Sequence, residues 1–303
     1  MTLVAFNDLM AHAEQGQYAV GYFECWNLES LLAVADAAEA TRSPVLLGFS
    51  GLTLPHPARV RRDPLNVYAS MGLEACRAVT IPAALVFNEC PDFYRVLEAA
   101  ALGYGLVMFS DESLSLEEQA VRVQQVAETA HQAGAAAEGE ALSLPGLSGE
   151  LLEIPEQIPL SEVQTAREFV EKTGVDAFAV NLGQLHLHGR QEVRLNLDLL
   201  QELRNALEVP LVLHGASSVN RQDLVAAIEL GIRKINVGSA LKQAYFESLR
   251  TACSSVGEGY NPYEVIGSGQ SSDVLMAGRV ALLREVEELL RLFGSAGAGT
   301  STL

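Results

Sequence analysis

The chain has 303 residues, 49% of them apolar, and carries 38 acidic against 20 basic side chains, a formal net charge of −18. The basic footprint that nucleic acid or an anionic membrane would need is missing, while an anionic small molecule needs only a few local donors. Four cysteines without metal spacing or a dense disulfide framework, and no apolar run suited to a signal peptide or a bilayer span, lead to the expectation of a soluble protein in a reducing cytoplasm.

In chain order, residues 7–15 read as a short helix that closes one end of a barrel. A first strand at 19–23 runs into Glu24, and Asn27 can cap a helix over 28–41 whose apolar residues recur at helical spacing. The second strand, 44–49, ends at Ser50. The loop 51–64 that follows holds three prolines and several arginines, so it is expected to be irregular and exposed before a helix at 65–79. A third strand, 82–87, ends in Asn88 and Glu89, with a helix at 92–102. The fourth, 105–109, ends at Ser110 and Asp111, and the helix after it, 116–133, is amphipathic.

The fifth strand, 135–141, carries Glu138 and Glu140, two residues apart and therefore on one face. Residues 142–159 form a long loop, and a helix follows at 161–173. The sixth strand, 177–182, leads into a loop with His186, His188 and Arg190. After a helix at 197–207, the run from Pro210 to Ser218, PLVLHGASS, reads as a buried parallel strand with chemistry at its carboxyl end, His214. A helix at 221–230, an eighth strand at 232–237 and helices at 241–252 and 273–292 complete the pattern.

Eight strand-then-helix units imply an α/β fold, a closed (β/α)8 TIM barrel with an additional C-terminal helix. One domain is expected over 1–294, with a disordered tail over 295–303. An open α/β sheet is the alternative, although no G-x-G-x-x-G follows the first strand.

In such a barrel the strand ends share one mouth. His186 and His214, from neighbouring strand ends, can share a divalent ion with carboxylates from the third or fifth strand; the alternative is that each is an ordinary satisfied histidine. Gly215, Ala216, Ser217 and Ser218, then Asn236, Gly238 and Ser239, bring small residues to the two loops where barrels commonly hold phosphate, with Arg190 as a cationic donor. Taken alone, the same residues equally make tight turns.

Together YAVGYFE (18–24), NLE (27–29), GVDAFAV (174–180), GQLH (183–186), PLVLHGAS (210–217), KINV (234–237) and LFGSAG (292–297) resemble the class II, metal-dependent ketose-bisphosphate aldolases, which include the fructose- and tagatose-bisphosphate enzymes. The resemblance spans nearly the whole chain. It implies a metal site in which His186 and His214 match two of three ligand histidines, whereas the family's H-x-D-H motif places Glu89 on the third ligand and Asn88 on the catalytic aspartate. Glu138 and Glu140 match its V-E-A-E motif, as possible additional ligands. Ser110 falls on a further aspartate, with Asp111 beside it, and because Asn88 cannot shuttle a proton at neutral pH the aldol step needs another acid, for which Asp111 and Glu24 are the nearest candidates. The glutamate of its mobile loop falls near Ser148, with Glu150 close by.

The phosphate contacts fall on Gly215, Ser217, Asn236 and Ser239, with Gly238 where an acid is usual and Arg190 in place of a lysine. Arg279 matches an arginine that some relatives present to a phosphate, or is one more solvated helix charge. Zinc is the first expectation for the metal, with manganese, iron or cobalt favoured more by an anionic ligand. The partners implied are a small phosphorylated sugar and a second or further copies of the chain, as homodimer or homotetramer. Three activities follow: reversible aldol cleavage, epimerisation or isomerisation of a sugar phosphate, and sugar-phosphate binding without turnover.

Overall fold

The computed structural model describes residues 2–146, 154–186 and 192–300. A helix, α1 (Phe6–Gly16), precedes the first strand-helix units, β1 (Val20–Cys25), α2 (Leu28–Thr41), β2 (Val45–Ser50), α3 (Leu65–Ala78), β3 (Ala83–Cys90) and α4 (Phe93–Ala101). The second half continues through β4 (Leu106–Phe109), α5 (Leu116–Gln132), β5 (Ala136–Gly139), α6 (Val163–Thr173), β6 (Ala177–Val180), α7 (Leu197–Ala206), β7 (Leu211–Leu213), α8 (Arg221–Glu229), β8 (Ile232–Val237) and α9 (Ser239–Ser255). Then come α10 (Pro262–Val265) and α11 (Val274–Leu292).

The eight strands pair in parallel, in sequence order, and β8 closes on β1, so the cylinder is the expected TIM barrel rather than an open sheet. The strands are buried on both faces, because one face packs on the helices and the other fills the barrel. Helix starts follow local chemistry: the Asn27 side chain accepts from the Ser30 amide at α2, and Ser115 and Glu118 exchange hydrogen bonds at α5.

Period two along the strands sorts the core into two bodies. Phe23, Leu47, Phe87, Val107 and Leu213 face the helices, whereas Val20, Tyr22, Leu46, Ala84, Val86 and Val212 face inward and meet Phe6, Leu9 and Met10 of α1, which plugs the amino end. The additional C-terminal helix, α11, packs on α2 and α9, and Phe293 just beyond it stacks on Phe23 at 6.2 Å.

The expectation of a disordered tail is corrected for residues 295–300. Ser295 is fully buried, and the amides of Gly297 and Gly299 donate to the carbonyls of Thr41 and Arg42 at 2.9 and 2.8 Å. Small residues let this strand of chain lie against the end of α2, where helix carbonyls lack partners of their own. Residues 301–303 lie outside the described residues.

Candidate active site

The inward-facing rows turn polar toward the carboxyl end of the barrel. Two or four residues beyond the apolar positions stand Glu24, Ser50, Asn88, Glu138 and His214, and Asn236 stands two residues beyond Lys234 on β8. β3 departs from regular geometry here: its pairing with β4 shifts register between Phe87 and Cys90, and Glu89 takes a left-handed φ of 50°. A non-glycine residue in that region is held there by its surroundings.

Six side chains close a ring across the mouth. Lys234 Nζ donates to Asn236 Oδ1 at 2.6 Å, Asn236 Nδ2 to Asn88 Oδ1 at 3.1 Å, and Asn88 Nδ2 to Glu89 Oε2 at 2.6 Å. Glu89 Oε1 meets His214 Nδ1 at 2.8 Å, and His214 Nε2 meets Glu138 Oε1 at 2.6 Å. The Lys234–Glu138 ion pair at 2.8 Å completes the circuit. Asn88 is the hinge of this arrangement, since an amide accepts from one neighbour and donates to the carboxylate on the other side, which a carboxylate cannot do.

The ring balances its own charge, two carboxylates against an imidazolium and an ammonium, all buried. Burial opposes the charge on His214, but Glu89 and Glu138 outweigh it and push its pKa up to about 10. Burial likewise raises Glu138, yet Lys234 and His214 bring it down to about 2. Burial pulls Lys234 below the ordinary lysine value in spite of Glu138. Glu140, on the same face as Glu138, bonds Ser110 and Ser143 instead, and burial pushes it up to about 7.

A pocket of about 240 Å³ opens above the ring, lined by Tyr22, Glu24, His186, Ser217, Ser239 and Lys242 among others. Gly215 has a left-handed φ of 63° and passes so close to the chain after β6 that a side chain there would lie 3.1 Å from the Leu185 carbonyl. At Gly238 a side chain would lie 2.6 Å from Glu24 Oε2, so the Glu24 carboxylate fills that space. The Glu24 carboxylate also pairs with Lys242 at 2.7 Å. α9 starts at Ser239, earlier than the sequence pattern indicates, and its Ala240 amide donates to Ser217 Oγ at 3.3 Å.

The expected metal triad is partly assembled. His186 Nε2 stands 3.9 Å from the Glu89 oxygen that meets His214. The donors fit a divalent ion in kind, two imidazoles and a carboxylate, on condition that His214 gives up the proton its Nδ1 shares with Glu89; Glu138 on Nε2 would then orient the ring. As placed, however, no group of three or more His, Cys, Asp or Glu side chains among the described residues is gathered to hold an ion. Glu138 and Glu140 are engaged by Lys234 and by the serines.

Asp111 requires correction. It lines the neighbouring cavity rather than the site pocket, and its carboxylate accepts from the Ser113 amide and hydroxyl at 3.0 and 2.6 Å. Arg279 pairs with Asp36 of α2. Glu150, His188 and Arg190 lie outside the described residues. Sequence reasoning missed Lys234 and Lys242; the first was legible from its place two residues before Asn236 on an inward face.

The family model described as "Fructose-bisphosphate aldolase class-II" matches residues 4–298. A sulfofructosephosphate aldolase from Alkalicoccus urumqiensis is 29% identical over 97% of this chain and 98% of its own length. A fructose-bisphosphate aldolase from Geobacillus stearothermophilus is 29% identical over 98% and 99%. Among solved structures, the YdjI aldolase from Escherichia coli K12 superposes with a TM-score of 0.80 at 26% identity, covering 98% of this chain and 99% of that one.

Proposed function

The chain belongs to the class II fructose-bisphosphate aldolase family, and on that premise we propose that it cleaves a phosphorylated ketose by a reversible aldol reaction dependent on a divalent metal. The observation that carries this reading is the closed ring at the barrel mouth, which fixes Glu89, His214 and Asn236 in one place. Glu89, His186 and His214 are the residues that would hold the ion, zinc first, with manganese, iron or cobalt as alternatives. When bound, the ion supplies Lewis acidity toward the substrate carbonyl.

The protein's own groups carry the rest. Glu138 fixes the orientation of His214, and Lys234 fixes both Glu138 and Asn236. Asn236 and Asn88 place amide donors beside an enediolate oxygen. The substrate phosphate rests on the amides of Gly215 to Ser217 and of Ser239, with Lys242 or Arg190 adding positive charge. Glu150 is assigned the proton taken from the donor carbon. No helix among the described residues is long and apolar enough to cross a membrane. A cytoplasmic setting and a homodimeric or homotetrameric assembly accompany the proposal.

The test is release of triose phosphate from fructose and tagatose bisphosphates by protein stripped of metal and then reloaded with zinc, manganese or cobalt. Release that appears only on reloading is expected. Absence of release from either ketose with every metal would overturn the proposal.

A further inference from the structure

Tyr22 lies on the inward face of β1, opposite Asn236 of β8, and its side chain forms part of the wall of the site pocket. Only 2% of the residue is exposed, and its hydroxyl oxygen meets no hydrogen-bond partner among the described residues. A buried phenol ordinarily bonds through its hydroxyl, and one that does not is a cost to the fold that a bound ligand can offset. Tyr104 also lacks a partner, but its ring packs on Phe87 at 5.5 Å on the helix side of the barrel, apart from the pocket.

The surroundings of Tyr22 fix its ring and leave its hydroxyl with a hydrogen to give. A side chain at Gly48 of β2 would lie 2.8 Å from Cε2 of Tyr22, so that glycine leaves the space in which the ring lies. Lys234 Nζ stands 5.2 Å from the centroid of the same ring. Burial first, and then the charges of Glu24, Cys25, Glu89 and Glu138, hold the phenol proton well above the ordinary tyrosine range, so the group is a donor at neutral pH. None of the three carboxylates takes that hydrogen. Glu24 is engaged by Lys242, Glu89 by Asn88 and His214, and Glu138 by His214 and Lys234.

Resting on the aldolase reading above, we propose that Tyr22 is a further catalytic residue, whose hydroxyl donates a hydrogen bond to the substrate oxygen on which negative charge gathers as the carbon–carbon bond breaks. Asn236 and Asn88 bond each other at 3.1 Å. Once both turn to the substrate oxygen, that oxygen meets amides from β8 and β3 and the phenol from β1. The hydroxyl keeps its hydrogen throughout, and the contact strengthens as the charge grows.

Tyr22→Phe removes the one atom at issue and keeps the ring. In metal-free protein unfolded by denaturant, the variant is expected to match or exceed wild-type stability, since no bond within the fold is lost. A lower midpoint would reveal a partner inside the protein and overturn the assignment. In protein reloaded with metal to equal content, phosphoglycolohydroxamate, which carries the two oxygens of an enediolate beside a phosphate, is titrated by calorimetry. Its Kd should rise tenfold or more in the variant, while that of inorganic phosphate stays within twofold. For the cleaved ketose, kcat should fall tenfold or more with KM within twofold.

Failure of the aldolase reading gives a different pattern. Hydroxamate binding that Tyr22→Phe weakens, in protein that releases no triose phosphate from any ketose, upholds the contact and overturns the aldolase reading alone. Cleavage by the wild type with hydroxamate affinity and kcat unchanged in the variant overturns the role of Tyr22 and leaves the aldolase reading standing. Wild-type protein that binds inorganic phosphate but not the hydroxamate overturns the contact.

Discussion

Toward the amino ends of the strands, Val20, Leu46, Ala84, Leu106 and Val212 cluster with Phe6, Leu9 and Met10 of α1. Further along the same strands, the corresponding positions are Glu24, Ser50, Asn88, Ser110 and His214. The lower half coheres by burial, which is non-directional and tolerates many side chains of suitable volume. The upper half coheres by directed bonds, in which each group has a named partner at a fixed distance. Stability and chemistry are thus loaded onto opposite ends of one cylinder, and substitutions at the two ends should separate the two properties.

The largest effect is expected at the plugged end. Phe6→Ala removes a fully buried ring from α1 and should cost about 3–4 kcal/mol of stability by denaturant unfolding. Its kcat/KM should stay within twofold of wild type, and a large catalytic loss in the folded variant would break the separation.

Asn88→Asp probes the other end. It replaces the donor to Glu89 with a second carboxylate, so kcat/KM for the cleaved ketose should fall roughly a hundredfold, about 2.7 kcal/mol in barrier height. Metal affinity, read by titration calorimetry, should change with it because Glu89 loses its positioning contact. Wild-type values for both would detach the ring from function.

The smallest effect concerns the rim, where Asp223 of α8 accepts from the Leu195 amide and Arg194, both at 2.8 Å, and so ties the β6–α7 connection to α8. Burial raises the Asp223 carboxyl, but the Arg194 hydrogen bond and the Leu195 amide outweigh it and hold its pKa below the ordinary value. A depressed native pKa contributes stability that is present above the unfolded value, about 3.9, and lost as pH falls through the native one. Asp223→Asn should therefore cost about 1–2 kcal/mol at neutral pH. The gap from wild type should narrow below about pH 4. A gap independent of pH would show that the charge on Asp223 contributes nothing.

Much of the barrel was legible because its signals are local. Continuous apolar runs such as PLVL at 210–213, and caps such as Asn27 and Ser115, depend on near neighbours in sequence. The mouth positions of Glu89, His214 and Asn236 were legible for the same reason, since each ends a strand. Asp111 misled because it also follows a strand end, yet the direction of its side chain depends on how the chain turns after β4. The tail misled because a glycine- and alanine-rich composition looks the same whether or not a helix end is there to receive it. The inward position of Lys234 was legible from its spacing to Asn236, but not the glutamate on β5 that pairs with it, which only the closed barrel brings near.

The order of residues alone determined the alternation of strands and helices, the closure into eight units, and which side chains gather at one end, because periodicity and strand termini are written along the chain. Tertiary structure decided who bonds to whom: that Asn88 bridges Asn236 and Glu89, that Lys234 reaches Glu138, that Glu24 fills the space above Gly238. Those contacts join β1, β3, β5 and β8, and hydrogen bonds depend on distances of a few tenths of an ångström that are set only once the cylinder closes.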